Sequence, residues 1–185
     1  AGCDGVDIKG NYTGISPSGA KLGGQNGIMI SKTTSVPVSQ PTRNITIGGT
    51  NPQDRNYISG NTSGMLLTNY TDSITILGNY IGSGLDGKTS GIGNSSGIAA
   101  IFGNSSNIII GDGTAAGRNV ISGNTGDGIG INNAYGDFTG TNKIQGNYFG
   151  LDVDGNVLPN GASGIALGHG GNLLIGGSLP GEGNV

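Results

Sequence analysis

The triplet Gly-Asn-Tyr occurs at residues 10–12, 78–80 and 146–148, so its three copies are evenly spaced. No other property constrains this chain so tightly, because a fixed long period means that one supersecondary unit is built again and again. Three further words return in the same order between the triplets. Ile-Ser-Gly-Asn stands at Ile58–Asn61 and Ile121–Asn124, and Asn-Ile-x-Ile-Gly at Asn44–Gly48 and Asn107–Gly111, with a variant at Asn172–Gly176. Gly followed by Ile or Met stands at Gly27, Gly64, Gly97, Gly128 and Gly164.

Each word reads as a short strand. In Ile74-Thr75-Ile76 and Ile129-Gly130-Ile131 the apolar residues alternate, the period of a strand buried on one face. Gly, Asn, Asp and Ser separate the strands, and these residues tolerate tight turns and left-handed backbone. Hairpins do not explain words that return only at long intervals. A solenoid does, with each word stacked on its equivalent in the next coil. Composition agrees: 41 of 185 residues are Gly and only 10% are charged, against about 7% and 25% in ordinary chains. Helix interiors disfavour glycine, and glycine here lacks the every-third-residue period of collagen.

The Gly-Asn pairs that end one strand type place asparagines at 11, 61, 79, 124 and 147. Their unequal intervals predict alternating long and short turns in five to six coils. The short steps, such as Asn61 to Asn79, read as bare three-strand coils, and insertions follow the Gly-Asn-Tyr word, as at 81–96. With strands about 4.8 Å apart, the rod should be roughly 25 Å long. Asn11, Asn61, Asn79, Asn124 and Asn147 are expected to form one ladder, since a carboxamide can donate to one neighbour and accept from another.

The pattern resembles the right-handed parallel β-helix repeat family, whose architecture is shared with pectate lyases and phage tailspikes. The resemblance rests on the Asn-x-Ile-x-Gly-Asn, Gly-Ile-x-Ile and Asn-Ile-x-Ile-Gly-Gly words, covering most of the chain from Asp7 to Val185, and implies a single all-β domain spanning residues 1–185. The family holds lyases, hydrolases, adhesins and surface proteins, so the fold alone does not choose among functions.

Candidate chemistry is sparse. Gly168-His169-Gly170 is similar to an element of polygalacturonases, but the acid pairs that accompany it there do not occur in this chain. The acids sit mostly in turn words such as Leu85-Asp86-Gly87 and Gly126-Asp127-Gly128, and a glycosidase needs two carboxylates at a catalytic separation. Asp152 and Asp154 form the densest oxygen cluster, yet without the later bidentate Glu of a calcium loop. No catalytic residue, metal ligand or cofactor is assigned. Tyr12, Tyr80 and Tyr148 recur every second coil, about 10 Å apart, a spacing that suits the sugars of an extended polysaccharide, although roofing the core is the favoured role. Only Thr139-Gly140-Thr141 has the pattern of an ice-binding face.

A pI near 4.7, a net charge of −3 and eight Lys or Arg leave no footprint for nucleic acid. No apolar run approaches the ~20 residues of a spanning helix, and Cys3 is alone, which excludes an internal disulfide. The sequence therefore predicts a non-enzymatic extracellular or cell-surface module, structural or adhesive. Its partners are expected to be itself, stacked head to tail through uncapped ends, or the remainder of a longer repeat chain. The alternative is a polysaccharide-binding or polysaccharide-cleaving domain.

Overall fold

A computed structural model describes residues 2–31, 42–68, 71–100, 105–132, 140–168 and 171–185. Its strands fall into three sheets. The first contains β1 (Asp4–Ile8), β4 (Thr42–Gly48), β7 (Thr71–Leu77), β10 (Ser106–Ile110), β13 (Asn142–Ile144) and β16 (Leu173–Ile175). The second contains the two-residue strands β2 (Tyr12–Thr13), β5 (Tyr57–Ile58), β8 (Tyr80–Ile81), β11 (Val120–Ile121) and β14 (Tyr148–Phe149). The third contains β3 (Gly24–Ile30), β6 (Asn61–Leu67), β9 (Ser96–Ala100), β12 (Ile129–Ile131) and β15 (Ile165–Leu167). Each strand pairs in parallel with the strand three places on, so one strand from each sheet completes a coil. The protein is a parallel β-helix.

Coil length follows from the register. Val6 lies against Ile45, Ile45 against Ile74 and Ile74 against Ile108, so the coils are unequal, the first being the longest of these three and the second the shortest. Further along, Ile109 lies against Lys143 and Lys143 against Leu174. The Gly-Asn-Tyr period is thus two coils, as the paths from Val6 through Ile45 to Ile74 and from Thr75 through Ile109 to Lys143 both show. The expected bare coils, as short as the step from Asn61 to Asn79, do not occur: the two Gly-Asn words belong to different corners, not to successive coils. Alternation is real but lies in the turns. Between the first and second sheets, odd coils turn tightly (9–11, 78–79, 145–147) and even coils carry loops (49–56, 111–119). Between the second and third sheets the pattern inverts, with loops at 14–23, 82–95 and 150–164 and tighter passages at 59–60 and 122–128.

The core is columns of like side chains. Ile45, Ile74 and Ile108 stack in the first sheet, Ile58, Ile81 and Ile121 in the second, and Met65, Ile98 and Ile129 in the third, all 3% exposed or less. A fully buried side chain of this size contributes about 1.5–3 kcal/mol, so the isoleucines carry the fold. The first strand of most coils enters through a left-handed residue, Asn44, Ser73, Asn107 or Asn172, with φ between 52° and 56°. Asparagine tolerates that conformation better than most residues, which explains the Asn that opens the Asn-Ile-x-Ile-Gly word.

Thr13 occupies the place in its column that Ile58 and Ile81 fill above it, and its Oγ1 is buried without a hydrogen-bond partner. Thr13→Val should raise stability by about 1 kcal/mol, because a stranded hydroxyl costs roughly 1–3 kcal/mol; urea denaturation would read the change, and an unaltered midpoint would contradict the assignment. The Gly-Ile word has a steric cause. A Cβ on Gly97 would press into the Gly128 carbonyl oxygen and stand 3.0 Å from both Asn124 Nδ2 and Ile121 Cγ2. Gly27, Gly64 and Gly128 meet the next glycine's carbonyl in the same way, at 2.5–2.6 Å. Gly97→Ala is expected to cost about 2–3 kcal/mol by forcing two coils apart; a melting temperature indistinguishable from wild type would rule this out.

Candidate functional site

The polar residues that repeat with the coils divide between two corners. At the first, Asn11, Asn56, Asn79, Asn119, Asn147 and Asn184 form one ladder. The backbone N–H and Nδ2 of each rung both donate to Oδ1 of the next, as from Asn56 to Asn79 (3.2 and 2.9 Å) and from Asn79 to Asn119 (3.0 and 3.1 Å). The first and last steps, Asn11 to Asn56 and Asn147 to Asn184, follow the same rule. Nδ2 also donates back to a first-sheet carbonyl of the preceding coil, for example Asn79 to Ile47 and Asn119 to Ile76, both 2.9 Å. At the second corner Asn61, Asn94, Asn124 and Asn160 repeat the arrangement.

The single ladder expected from Asn11, Asn61, Asn79, Asn124 and Asn147 is therefore corrected to two. Asn11, Asn79 and Asn147 belong to the first, and Asn61 and Asn124 to the second. The missed rungs Asn56 and Asn119 follow Arg55 and Arg118 rather than glycine, and a search for Gly-Asn passes over them. Asn94 and Asn184 do follow glycine, but so do Asn156 and Asn172, which are not rungs, so the pair alone does not mark one. For Asn56 and Asn119 the residue after the asparagine was the available signal. Tyr57 pairs with Tyr12 and Tyr80, and Val120 with Tyr80 and Tyr148.

Tyr12, Tyr80 and Tyr148 lie on the first, third and fifth coils, with Tyr57 and Val120 between them. Tyr80 is 6% exposed, whereas Tyr12 is 45% exposed and stacks on Tyr57 with ring centroids 5.1 Å apart. Burial raises the Tyr80 phenol above its ordinary range. Two arginines clasp this column. Arg55 Nε donates to the Gly78 carbonyl (2.9 Å) while its guanidinium lies 4.1 Å from the Tyr80 ring centroid. Arg118 does the same to Gly146 (3.1 Å) and Tyr148 (4.1 Å). Each even coil thus grips the odd coil that follows.

The Ile-Ser-Gly-Asn serines grip the same coils from the other corner. Ser59 Oγ donates to the Ser83 carbonyl and Ser122 Oγ to the Leu151 carbonyl, both 2.7 Å, at the roots of the long loops. Those loops are small hairpins closed alike: Ser16 N–H to Ala20 O, Gly84 N–H to Thr89 O and Asp152 N–H to Asn156 O. Lys88 of one hairpin pairs with Asp154 of the hairpin two coils on.

The acids are absorbed in this framework. Asp86 Oδ1 accepts the Lys88 and Thr89 amides (both 2.9 Å), and the Lys88 amide is the main reason its carboxyl is held below the usual range. Asp152 Oδ1 accepts the amides of Asp154 and Asn156; desolvation raises its pKa, but the Asn156 amide and side chain outweigh that and lower it. Side-chain hydrogen bonds from Asn44 and then Arg43 lower Asp4 similarly. Carboxyls held ionised in this way are poor proton donors, and a glycosidase requires one donor with a raised pKa. No group of three or more His, Cys, Asp or Glu among the described residues could hold a metal ion. His169 and Thr139 lie outside the described residues. No helix among the described residues is long and apolar enough to cross a membrane.

No protein-family model, curated protein or solved structure matches this chain.

Proposed function

We propose that this chain is a non-enzymatic structural or adhesive module of the right-handed β-helix repeat kind, a stiff section of an extracellular fibre or filament. One observation carries the reading: the polar residues that repeat along the chain are spent on joining coil to coil. The asparagines form ladders, Arg55 and Arg118 clasp the next coil, and Ser59 and Ser122 anchor the next coil's hairpins, while Asp86 and Asp152 close turns within their own hairpins. Repeated side chains used mainly for stacking favour a load-bearing rod over a reaction site.

The ladders also support end-to-end growth. From Asn11 to Asn147 each rung of the first ladder donates its N–H and one Nδ2 hydrogen to the rung on its C-terminal side, so the ladder has a polarity. A further coil, from the same polypeptide or from another copy, would continue that polarity. The test combines small-angle scattering, sedimentation velocity across a concentration series, and incubation with a polysaccharide panel. A rod that lengthens with concentration and releases no sugar is expected. Reducing ends or unsaturated products released by the pure chain would replace this reading with the polysaccharide-cleaving one.

A further inference from the structure

Asn-x-Ser/Thr, the acceptor pattern for a sugar linked to an asparagine side chain, occurs at Asn11, Asn44, Asn61, Asn69, Asn94 and Asn104. Asn69 and Asn104 lie outside the described residues. The coils place the others in different settings. In the transfer reaction Nδ2 attacks C1 of a sugar diphosphate; the C–N bond forms as the C1–O bond breaks. The diphosphate leaves with that electron pair, and the nitrogen releases one proton. The product keeps a single N–H, so the cost of a sugar depends on what each asparagine does with its two hydrogens.

Asn61 and Asn94 have neither a hydrogen nor space to give. Both are rungs of the second ladder, 5% and 0% exposed. Asn94 Nδ2 donates to Ile58 O and Asn124 Oδ1 (2.9 and 3.0 Å), and Asn61 Nδ2 is shared among Thr13 O, Ser59 O and Asn94 Oδ1 (all 3.2 Å). The packing around them leaves no room even for a methyl group. A Cβ on Gly64 would stand 2.8 Å from Asn94 Nδ2, and one on Gly27 would stand 2.9 Å from Asn61 Nδ2. Asn11 is exposed, yet both of its hydrogens are held, by Lys9 O and Asn56 Oδ1 (2.9 and 3.0 Å).

Asn44 differs on both counts. It is exposed, and its Nδ2 makes one hydrogen bond, to Asp4 Oδ1 at 2.7 Å. By register its neighbours in the first sheet are Gly5, which has no side chain, and the short Ser73. A sugar here leaves a hydrogen for Asp4 and extends into solvent.

We propose that the fold sorts these sites: Asn44 is where this β-helix accepts an N-linked sugar, and a sugar on Asn61 or Asn94 bars the chain from folding. β4 and β6, which hold Asn44 and Asn61, are paired with strands on both sides, so a glycosyltransferase must act before the coils close. Synthesis in the presence of such an enzyme divides the product into glycoforms that fold and glycoforms that do not. The inference stands apart from the load-bearing reading, since it turns on the side-chain hydrogen bonds alone.

Full-length chains assembled by chemical ligation, each carrying one N-acetylglucosamine on Asn44, Asn61 or Asn94, would test it against the unmodified chain. Each would be refolded from urea, and the folded-to-unfolded ratio read by circular dichroism across a urea titration. The Asn44 glycoform should stay within about threefold of the unmodified chain, the range of a neutral surface change. The Asn61 and Asn94 glycoforms should lose about a hundredfold or more, the scale of a stranded buried hydrogen bond combined with a forced contact. A smaller loss at either buried site, or a larger one at Asn44, would overturn the proposal.

Discussion

Excision of residues 80–147 is expected to leave a shorter protein that still unfolds in one cooperative step, whereas excision of residues 74–107 abolishes folding. The first deletion removes one full Gly-Asn-Tyr period, two coils, and joins Asn79 to Tyr148, which makes the same Gly-Asn-Tyr word. Arg55 then meets Tyr148 in place of Tyr80, Ser59 meets the Leu151 carbonyl in place of Ser83, and Asn61 meets Asn160 in place of Asn94. Every one of these pairings already has its equivalent two coils on. The second deletion removes a single coil and joins Ser73 to Ile108, the register partner of Ile74. The isoleucine columns would be preserved, but two even coils would become neighbours.

That juxtaposition fails at both corners. The loops 49–56 and 111–119 would need the space of one, because a tight odd-coil turn such as 78–79 normally separates them. Arg55 would lie over Val120 with no ring beneath it, and Ser59 would lose the Ser83 carbonyl that it meets at 2.7 Å. Each solenoid repeat is stabilised largely by its neighbours, so faulty interfaces remove more than the local contacts. Circular dichroism and urea titration of the two deletion proteins would decide the matter. Equal stability would mean that the single coil is the building unit and that the alternation carries no weight.

The same alternation marks the boundary of what the sequence made legible. The period, the parallel coils and the isoleucine columns could be read directly, since a word returning at equal long intervals and a period of two are properties of the string. The partition of asparagines could not be read from the Gly-Asn pair. Glycine precedes Asn79 because that odd coil turns tightly, while Arg55 and Arg118 precede Asn56 and Asn119 because the loop there reaches forward over the tyrosine of the next coil. Gly183 precedes Asn184 although residues 176–183 form a loop, so the residue before an asparagine does not by itself identify a rung. The hairpins were visible as insertions, but the serines that anchor them were not, because a buried serine and a surface serine look alike in a sequence so rich in both.

The ladder itself gives the sharpest point-mutation test. Asn119 is fully buried, and its carboxamide is saturated: Oδ1 accepts from the Asn79 amide and Nδ2, and its own Nδ2 donates to Ile76 O and Asn147 Oδ1 (2.9 and 2.8 Å). Asn119→Ala strands these partners, at roughly 1–3 kcal/mol for each group left unpaired, so a loss of about 4 kcal/mol is expected at any pH. Asn119→Asp keeps the acceptor but turns the donor into an oxygen facing two oxygens, and it buries a charge. At pH 7 the loss should exceed that of alanine, on the scale of about 5 kcal/mol or more. Its pH dependence distinguishes the two variants. Burial raises the pKa of the introduced acid in the folded state above its unfolded value of about 3.9, so the folded state binds the extra proton. Relative stability therefore falls as pH rises from about 4 through the folded pKa, and is regained in acid, where the neutral carboxyl can donate to Ile76 O. Urea midpoints at pH 7 and pH 3.5, each referenced to wild type at the same pH, should converge with acid for Asn119→Asp and stay apart for Asn119→Ala. If the aspartate variant shows no such recovery, or if both variants match wild type, the ladders do not hold the coils together.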